Sequence, residues 1–154
     1  VRNFGAIART AECAGVDAIV IPEKGSAQIN SDAVKTSAGA LNFIPVARVK
    51  NLFYTCRDLQ KMGLSLVAVT EKTDKVMYEA DFSAPVAMIL GSEEDGISQE
   101  IMGIADAKVK IPMAGNIESL NVSVSAGVAI YEAIRQRKKW SVISDQWSVI
   151  RYKI

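Results

Sequence analysis

Short apolar runs punctuate the chain at residues 18–21, 43–49, 64–69, 86–90 and 109–111, each bounded by Gly, Pro, Asp, Ser or Asn. Runs of that length and composition read as buried strands. Between them, apolar positions recur at helical spacing over residues 5–14, 32–38, 52–62, 97–104 and 122–137. Strand and helix alternate almost throughout. This alternation predicts an α/β fold, a mostly parallel sheet with helices on both faces.

In such sheets, ligands sit beyond the carboxyl ends of strands, where backbone amides and helix starts meet them. Three turns are placed to do this. IPMAGNIESLNVSV, residues 111–124, runs from an apolar strand through small and polar residues into a helix starting near Ser119 or Asn121. NFGAIARTAECAG, residues 3–15, puts Asn3 before a helix with Arg9 six residues later, and Ala6, Ile7 and Ala14 on the core side. MILGSEEDGIS, residues 88–98, is a buried strand ending at Gly91, then a tight acidic loop carrying Glu93, with Gly96 starting a helix. Glycine at those points permits close backbone approach or positive φ. Taken singly, each turn has a plainer reading. A capped helix with a surface arginine, a strand-glycine-helix passage and a Ser or Asn helix cap are all common.

Composition narrows the chemistry. At 154 residues and 49% hydrophobic, the chain suits one domain with a sizeable core. Eighteen basic against 17 acidic residues leave a net charge of +1, so nucleic acid is not held by overall charge, and RNA would need local patches or another domain. The absence of histidine removes Ser/His and Cys/His catalysis and the commonest metal ligand. Cys13 and Cys56 alone make no zinc cluster and read as core thiols. With no apolar run near the ~18 residues that span a bilayer, the expectation is a soluble, cytoplasmic protein with no membrane partner.

Some features are ambiguous at this level. The sequence starts at Val1, already against the first turn, and reads as a piece lacking an upstream part. WSVI occurs at 140–143 and again at 147–150, as a packing strand, a frayed terminus or a partner-binding stripe. Arg135, Arg137, Lys138 and Lys139 read as a solvated helix end complementing the macrodipole ahead of an RNA patch. Lys35, Arg48 and Lys50 are taken as solvated first and phosphate contacts second, and Glu94 and Glu118 as solvated.

Together and in this order, the three turns resemble motifs 1, 2 and 3 of the SpoU/TrmH family of SPOUT RNA 2′-O-ribose methyltransferases. The resemblance covers residues 1 to about 137 and includes the connecting text SAQINSDAVKTSAGALNFIPVARVKNL, which is most similar to the branch acting on guanosine in 23S ribosomal RNA. It implies a catalytic domain over residues 1–139 with a tail at 140–154. It further implies a deep trefoil knot near the carboxyl-terminal end that forms the S-adenosylmethionine site. No sequence pattern predicts a knot, because connections are otherwise unknotted. The family's cofactor positions carry over to Gly91, Ile111 and Leu120. Its catalytic set carries over to Asn3, Arg9, Glu93, Ser119 and Asn121, all of the family's usual residue types. No metal is implied. A homodimer is, with Arg9 serving a site shared between subunits.

The implied reaction moves a methyl group from S-adenosylmethionine to a ribose 2′-hydroxyl of structured RNA. Guanosine in 23S rRNA is the first expectation and transfer RNA the alternative. The family's matching arginine is proposed to activate the hydroxyl. A guanidinium keeps its proton at any ordinary pH and is a poor proton acceptor, so Arg9 is better read as a cation that binds phosphate and stabilises an alkoxide, oriented by Glu93. Two competing readings are a catalytically silent RNA- or cofactor-binding module and a nucleotide-binding Rossmann protein. Retention of Arg9, Glu93, Ser119 and Asn121 argues against the first, and the lack of G-x-G-x-x-G after the first strand against the second.

Overall fold

The computed structural model describes residues 2–26, 29–92 and 95–137. In chain order the elements are α1 (Arg2–Cys13), β1 (Ile19–Pro22), α2 (Ser31–Thr36), β2 (Val46–Val49), α3 (Leu52–Lys61), β3 (Ser65–Val69), β4 (Val86–Leu90), α4 (Gln99–Ile104), β5 (Ala107–Val109) and α5 (Val122–Arg137). Single 3₁₀ turns, which the hydrophobic pattern does not show, sit at Ala40–Asn42 and Met77–Glu79. All strand pairing between these elements is parallel. β1 pairs with β2, and β3 lies between β4 and β5.

The faces of the three-stranded sheet follow from the two-residue period of a strand. Leu66 of β3 points into a cluster with Cys56 and Ile101, joined by Ala87 and Ile89, which seats α3 and α4. Its neighbour Val67 points the other way, among Met77, Phe82, Val109, Ala129 and Ala133, which seats α5. Helices therefore cover both faces of this sheet. Burial is deepest along β3, while every residue of β1 and β4 is only half-buried rather than buried as the apolar runs suggest.

Several expected boundaries move, each for a local reason. α1 starts at Arg2, so Asn3 lies inside the helix rather than before it. Its buried stripe is Phe4, Ala8 and Ala11, not Ala6, Ile7 and Ala14, which are half-buried. The packing partners that select this stripe are Ile44, Ile19 and Ile130. In the 43–49 run, the amides of Phe43 and Ile44 bond back to the Ala40 carbonyl at 2.9 and 3.0 Å, and Pro45 has no donor, so the strand begins only at Val46. Gly96 does not start a helix. It sits at φ 70°, and α4 begins at Gln99 behind the Ser98 cap. β5 ends at Val109 because Lys110 turns to the 75–77 segment, donating to the Lys75 carbonyl and accepting from the Met77 amide, both at 2.9 Å.

Cys56 is buried, and that burial pushes its thiol pKa up. Cys13, expected in the core, is exposed, because the α1 stripe that packs inward ends at Ala11. The carboxyl-terminal end of α5 is not a merely solvated run. Glu132 is 6% exposed and accepts from Arg135 at 2.7 and 2.8 Å and from Gln136 at 2.9 Å. Gln136 also accepts from the Phe82 amide at 2.8 Å and donates to the Ala80 carbonyl at 2.9 Å. Arg137 donates to the carbonyls of Phe82 and Ala84 at 2.8 and 2.9 Å. Lys138, Lys139 and both WSVI segments lie outside the described residues. Among the described residues no helix is long and apolar enough to cross a membrane.

Candidate active site

The carboxyl ends of β3, β4 and β5 open onto one cleft of about 620 Å³. Thr70, Gly91 and Ile111 come from the chain just past those three strands, and Ser119, Leu120 and Asn121 from the approach to α5. That volume falls within the ~300–1,000 Å³ of small-molecule sites. Ile111 has one side against the α5 core cluster and the other on the cleft. Leu120 is 38% exposed, an apolar side chain held toward solvent at the cleft wall.

Gly91 is set by close packing. A Cβ there would stand 2.5 Å from the Gly96 carbonyl carbon, 2.7 Å from its Cα and 2.9 Å from the Ile97 nitrogen. The same contact is closed by paired backbone bonds between Ser92 and Gly96, each 3.1 Å. Glu93 and Glu94, one of them expected to orient Arg9, lie outside the described residues.

Asn121 carries two duties. Its Oδ1 accepts from the Ser123 amide at 2.9 Å, capping α5, and its Nδ2 donates to Asn3 Oδ1 at 3.1 Å. The first residues of α1 are thereby tied to the cleft. Ser119 is exposed and lies two residues before the cap, so the helix begins at Val122 and not at Ser119.

Arg9 is not brought to this cleft within the chain. Six residues along α1 from Asn3, it is displaced by ~9 Å and turned by ~240°. It lines a smaller hollow of about 250 Å³ with Glu12, Cys13, Ser37 and Phe43. Sequence reasoning missed Thr70, Glu71 and Lys72 as lining residues of the large cleft. The signal was available: they follow β3 as Gly91 follows β4, and strand ends are where such sheets bind. Lys110 also lines the cleft, 3.6 Å from Asp74 in an ion pair. Glu118 lines it and is exposed. Lys35, Arg48 and Lys50 are exposed and line neither hollow. Among the described residues no group of His, Cys, Asp and Glu is placed to hold a metal ion.

A profile of the SpoU rRNA methylase family matches residues 1–131. The chain belongs to that family. Its SpoU relatives include the 23S rRNA (guanosine-2′-O-)-methyltransferase RlmB of Xanthomonas campestris pathovar campestris, 47% identical over 135 residues, which are 88% of this chain and 54% of that protein. RlmB of Escherichia coli K12 is 38% identical over 135 residues, 88% of this chain and 56% of the relative. The chain thus spans about half the length of the curated relatives it matches. Among solved SpoU structures, the A. aeolicus TrmH/SpoU tRNA modifying enzyme superposes with a TM-score of 0.80 at 35% identity, over 88% of this chain and 69% of that one. AviRb of Streptomyces viridochromogenes, solved in complex with AdoMet, gives 0.79 at 30% identity, over 88% and 53%.

Proposed function

We propose that this chain is the catalytic unit of an S-adenosylmethionine-dependent RNA 2′-O-methyltransferase acting on guanosine in 23S ribosomal RNA, in the cytoplasm. The observation that carries the reading is the strand-end cleft. In a SpoU-family chain, it gathers Gly91, Ile111 and Leu120 with Ser119 and Asn121. The cofactor fits the residues present, since the volume suits a nucleoside-sized ligand, Ile111 and Leu120 offer apolar walls, and Gly91 lines the cleft without a side chain. A catalytic unit over residues 1–139 is supported by the family match and by α5 running to Arg137. The family likeness also supports a trefoil knot and a homodimer. A tRNA substrate is the alternative, favoured by the likeness to the A. aeolicus tRNA modifying enzyme.

When bound, the cofactor supplies an electrophilic methyl group on a sulfonium. The chain's own part is positioning: the ribose oxygen must be held about 3–3.5 Å from that carbon and in line with the breaking bond. Ser119 and Asn121 stand at the helix start where a ribose or the methionine end of the cofactor meets them, and Asn3 fixes Asn121 by accepting a hydrogen bond from its Nδ2. Arg9 reaches a cleft only in a second copy of the chain, which is the proposed shared site. There its guanidinium binds substrate phosphate and stabilises the forming alkoxide, while Glu93 orients it. The hydroxyl proton leaves to the phosphate, to water or to Glu93.

The deciding experiment maps 2′-O-methyl ribose by mass spectrometry in ribosomal and transfer RNA from cells with and without the intact protein. Loss of one 23S guanosine methyl is expected, and loss from tRNA alone would move the substrate to the alternative. If both RNAs keep every methyl group, the enzyme reading is overturned. In purified protein, Arg9→Lys is expected to lower methyl transfer by about 10²-fold, since an ammonium lacks the planar fork. Near-normal turnover would refute the guanidinium's role.

A further inference from the structure

Outside the large cleft, Arg9 shares its hollow with residues to which the reaction as described gives no role, Glu12 and Phe43 among them. Arg9, Glu12 and Cys13 lie at i, i+3 and i+4, on one face of α1. Among the described residues neither Arg9 nor Glu12 has an ion-pair partner, although two opposite charges three residues apart would ordinarily be free to meet. Across the hollow stands Phe43, 77% exposed.

That ring is held out by a built turn rather than left loose. Ala38 at φ 51° and Gly39 at φ 84° take consecutive left-handed conformations, and for alanine this is an uncommon, costly backbone state. Ser37 is fully buried and ties both sides of the turn, its Oγ donating to the Val34 carbonyl at 2.8 Å and accepting from the Leu41 amide at 3.3 Å. The 3₁₀ turn Ala40–Asn42 then delivers Phe43 outward while Ile44 returns to the core.

An exposed aromatic face, a lone cation and a lone carboxylate around one small hollow match a single ligand chemistry. An unstacked nucleobase offers a face to stack, its phosphate suits a guanidinium, and a carboxylate is acceptor-only. Guanine presents two donors side by side, N1–H and the exocyclic amine. Adenine, cytosine and uracil present no such pair. We propose that this hollow reads a guanine of the substrate RNA: Phe43 stacks on the base, Glu12 accepts from its N1–H and amine, and Arg9 holds its phosphate. The inference rests on the RNA methyltransferase reading and adds to it the element that chooses the base.

The test uses the full-length protein and fluorescent heptaribonucleotides identical except for a central guanosine, inosine or adenosine, with binding measured at one fixed salt concentration. Phe43→Leu is expected to weaken binding of the guanosine strand by about 5- to 100-fold, and Phe43→Tyr to restore it. Glu12→Gln is expected to erase the preference for guanosine over inosine, which lacks the exocyclic amine. Both variants should keep native S-adenosylmethionine affinity, because neither residue lines the large cleft. If Phe43→Leu and Glu12→Gln bind and discriminate like the native protein while methyl transfer persists, the base-reading proposal falls and the enzyme reading stands. A fall of Phe43→Leu to half the native mass would assign the surface to a second copy and also overturn the proposal. Native protein that neither binds these strands nor methylates RNA would overturn both.

Discussion

Gly91 shows how much one missing side chain decides. The Gly96 backbone occupies the place of its Cβ, so the turn at the end of β4 can close only over glycine. Gly91→Ala is expected to open that turn, weaken S-adenosylmethionine binding by calorimetry and cost about 1–3 kcal/mol of stability. Gly103→Ala is the matched control, since nothing lies within 4 Å of its Cβ position in α4. It should bind the cofactor normally and gain up to ~1 kcal/mol. Equal binding by both variants would separate the glycine contact from the site. The need for glycine at 91 was legible from its place at a strand end. Its counterpart Gly96 was legible as a special residue, but its role in a backbone bridge at φ 70° was not.

At the scale of elements, α5 is held at both ends. Asn121 caps its start and bonds Asn3, and Gln136 and Arg137 clamp its end to the 80–84 segment that leads into β4. Both cleft walls, the end of β4 and the start of α5, thus belong to elements joined at their far ends. Gln136→Leu leaves the Phe82 amide and the Ala80 carbonyl without this partner, an expected loss of about 2–3 kcal/mol in urea unfolding. Glu132 adds a pH signature. The hydrogen bond from Arg135 outweighs burial and holds its carboxyl below the ordinary glutamate range. A depressed folded value means its stabilisation is complete above the unfolded value of about 4.3 and is lost as pH falls through the folded one. The stability gap between native protein and Glu132→Gln should therefore be widest near neutrality and close in acid. A gap that ignores pH would point to packing instead of charge. Sequence showed this helix end as a run of cations. Its buried glutamate and its partners 53–56 residues away were invisible there.

For the whole molecule, the three motif turns meet at the cleft in one chain except at Arg9. Asn3 and Asn121 meet across 118 residues, whereas Arg9 faces the separate hollow. The proposed homodimer accounts for this by bringing Arg9 of one copy to the cleft of the other. Co-expressed full-length Arg9→Ala and Asn121→Ala subunits should then recover activity. Random pairing under two-fold symmetry makes half the dimers mixed, each with one intact site, or about a quarter of native turnover. No recovery over either variant alone would place Arg9 and Asn121 in the same chain's site.

Local chemistry was written in the sequence. Short apolar runs and helical spacing located the described α-helices and strands to within a few residues, and the Gly, Ser and Asn positions marked the turns, because these preferences act between near neighbours. The same locality explains the misplaced edges: Phe43 and Ile44 look like strand residues until their amides are seen bonding to Ala40. What only the tertiary structure decided depends on groups far apart in the chain. These are the order β4-β3-β5, the Asn3–Asn121 bond, the clamp on α5 and the divergence of Arg9 from the cleft. No neighbour along the backbone constrains such meetings. They are set by how helices pack on a particular sheet, and a turn of 240° along one helix is enough to send two residues of one motif to different surfaces.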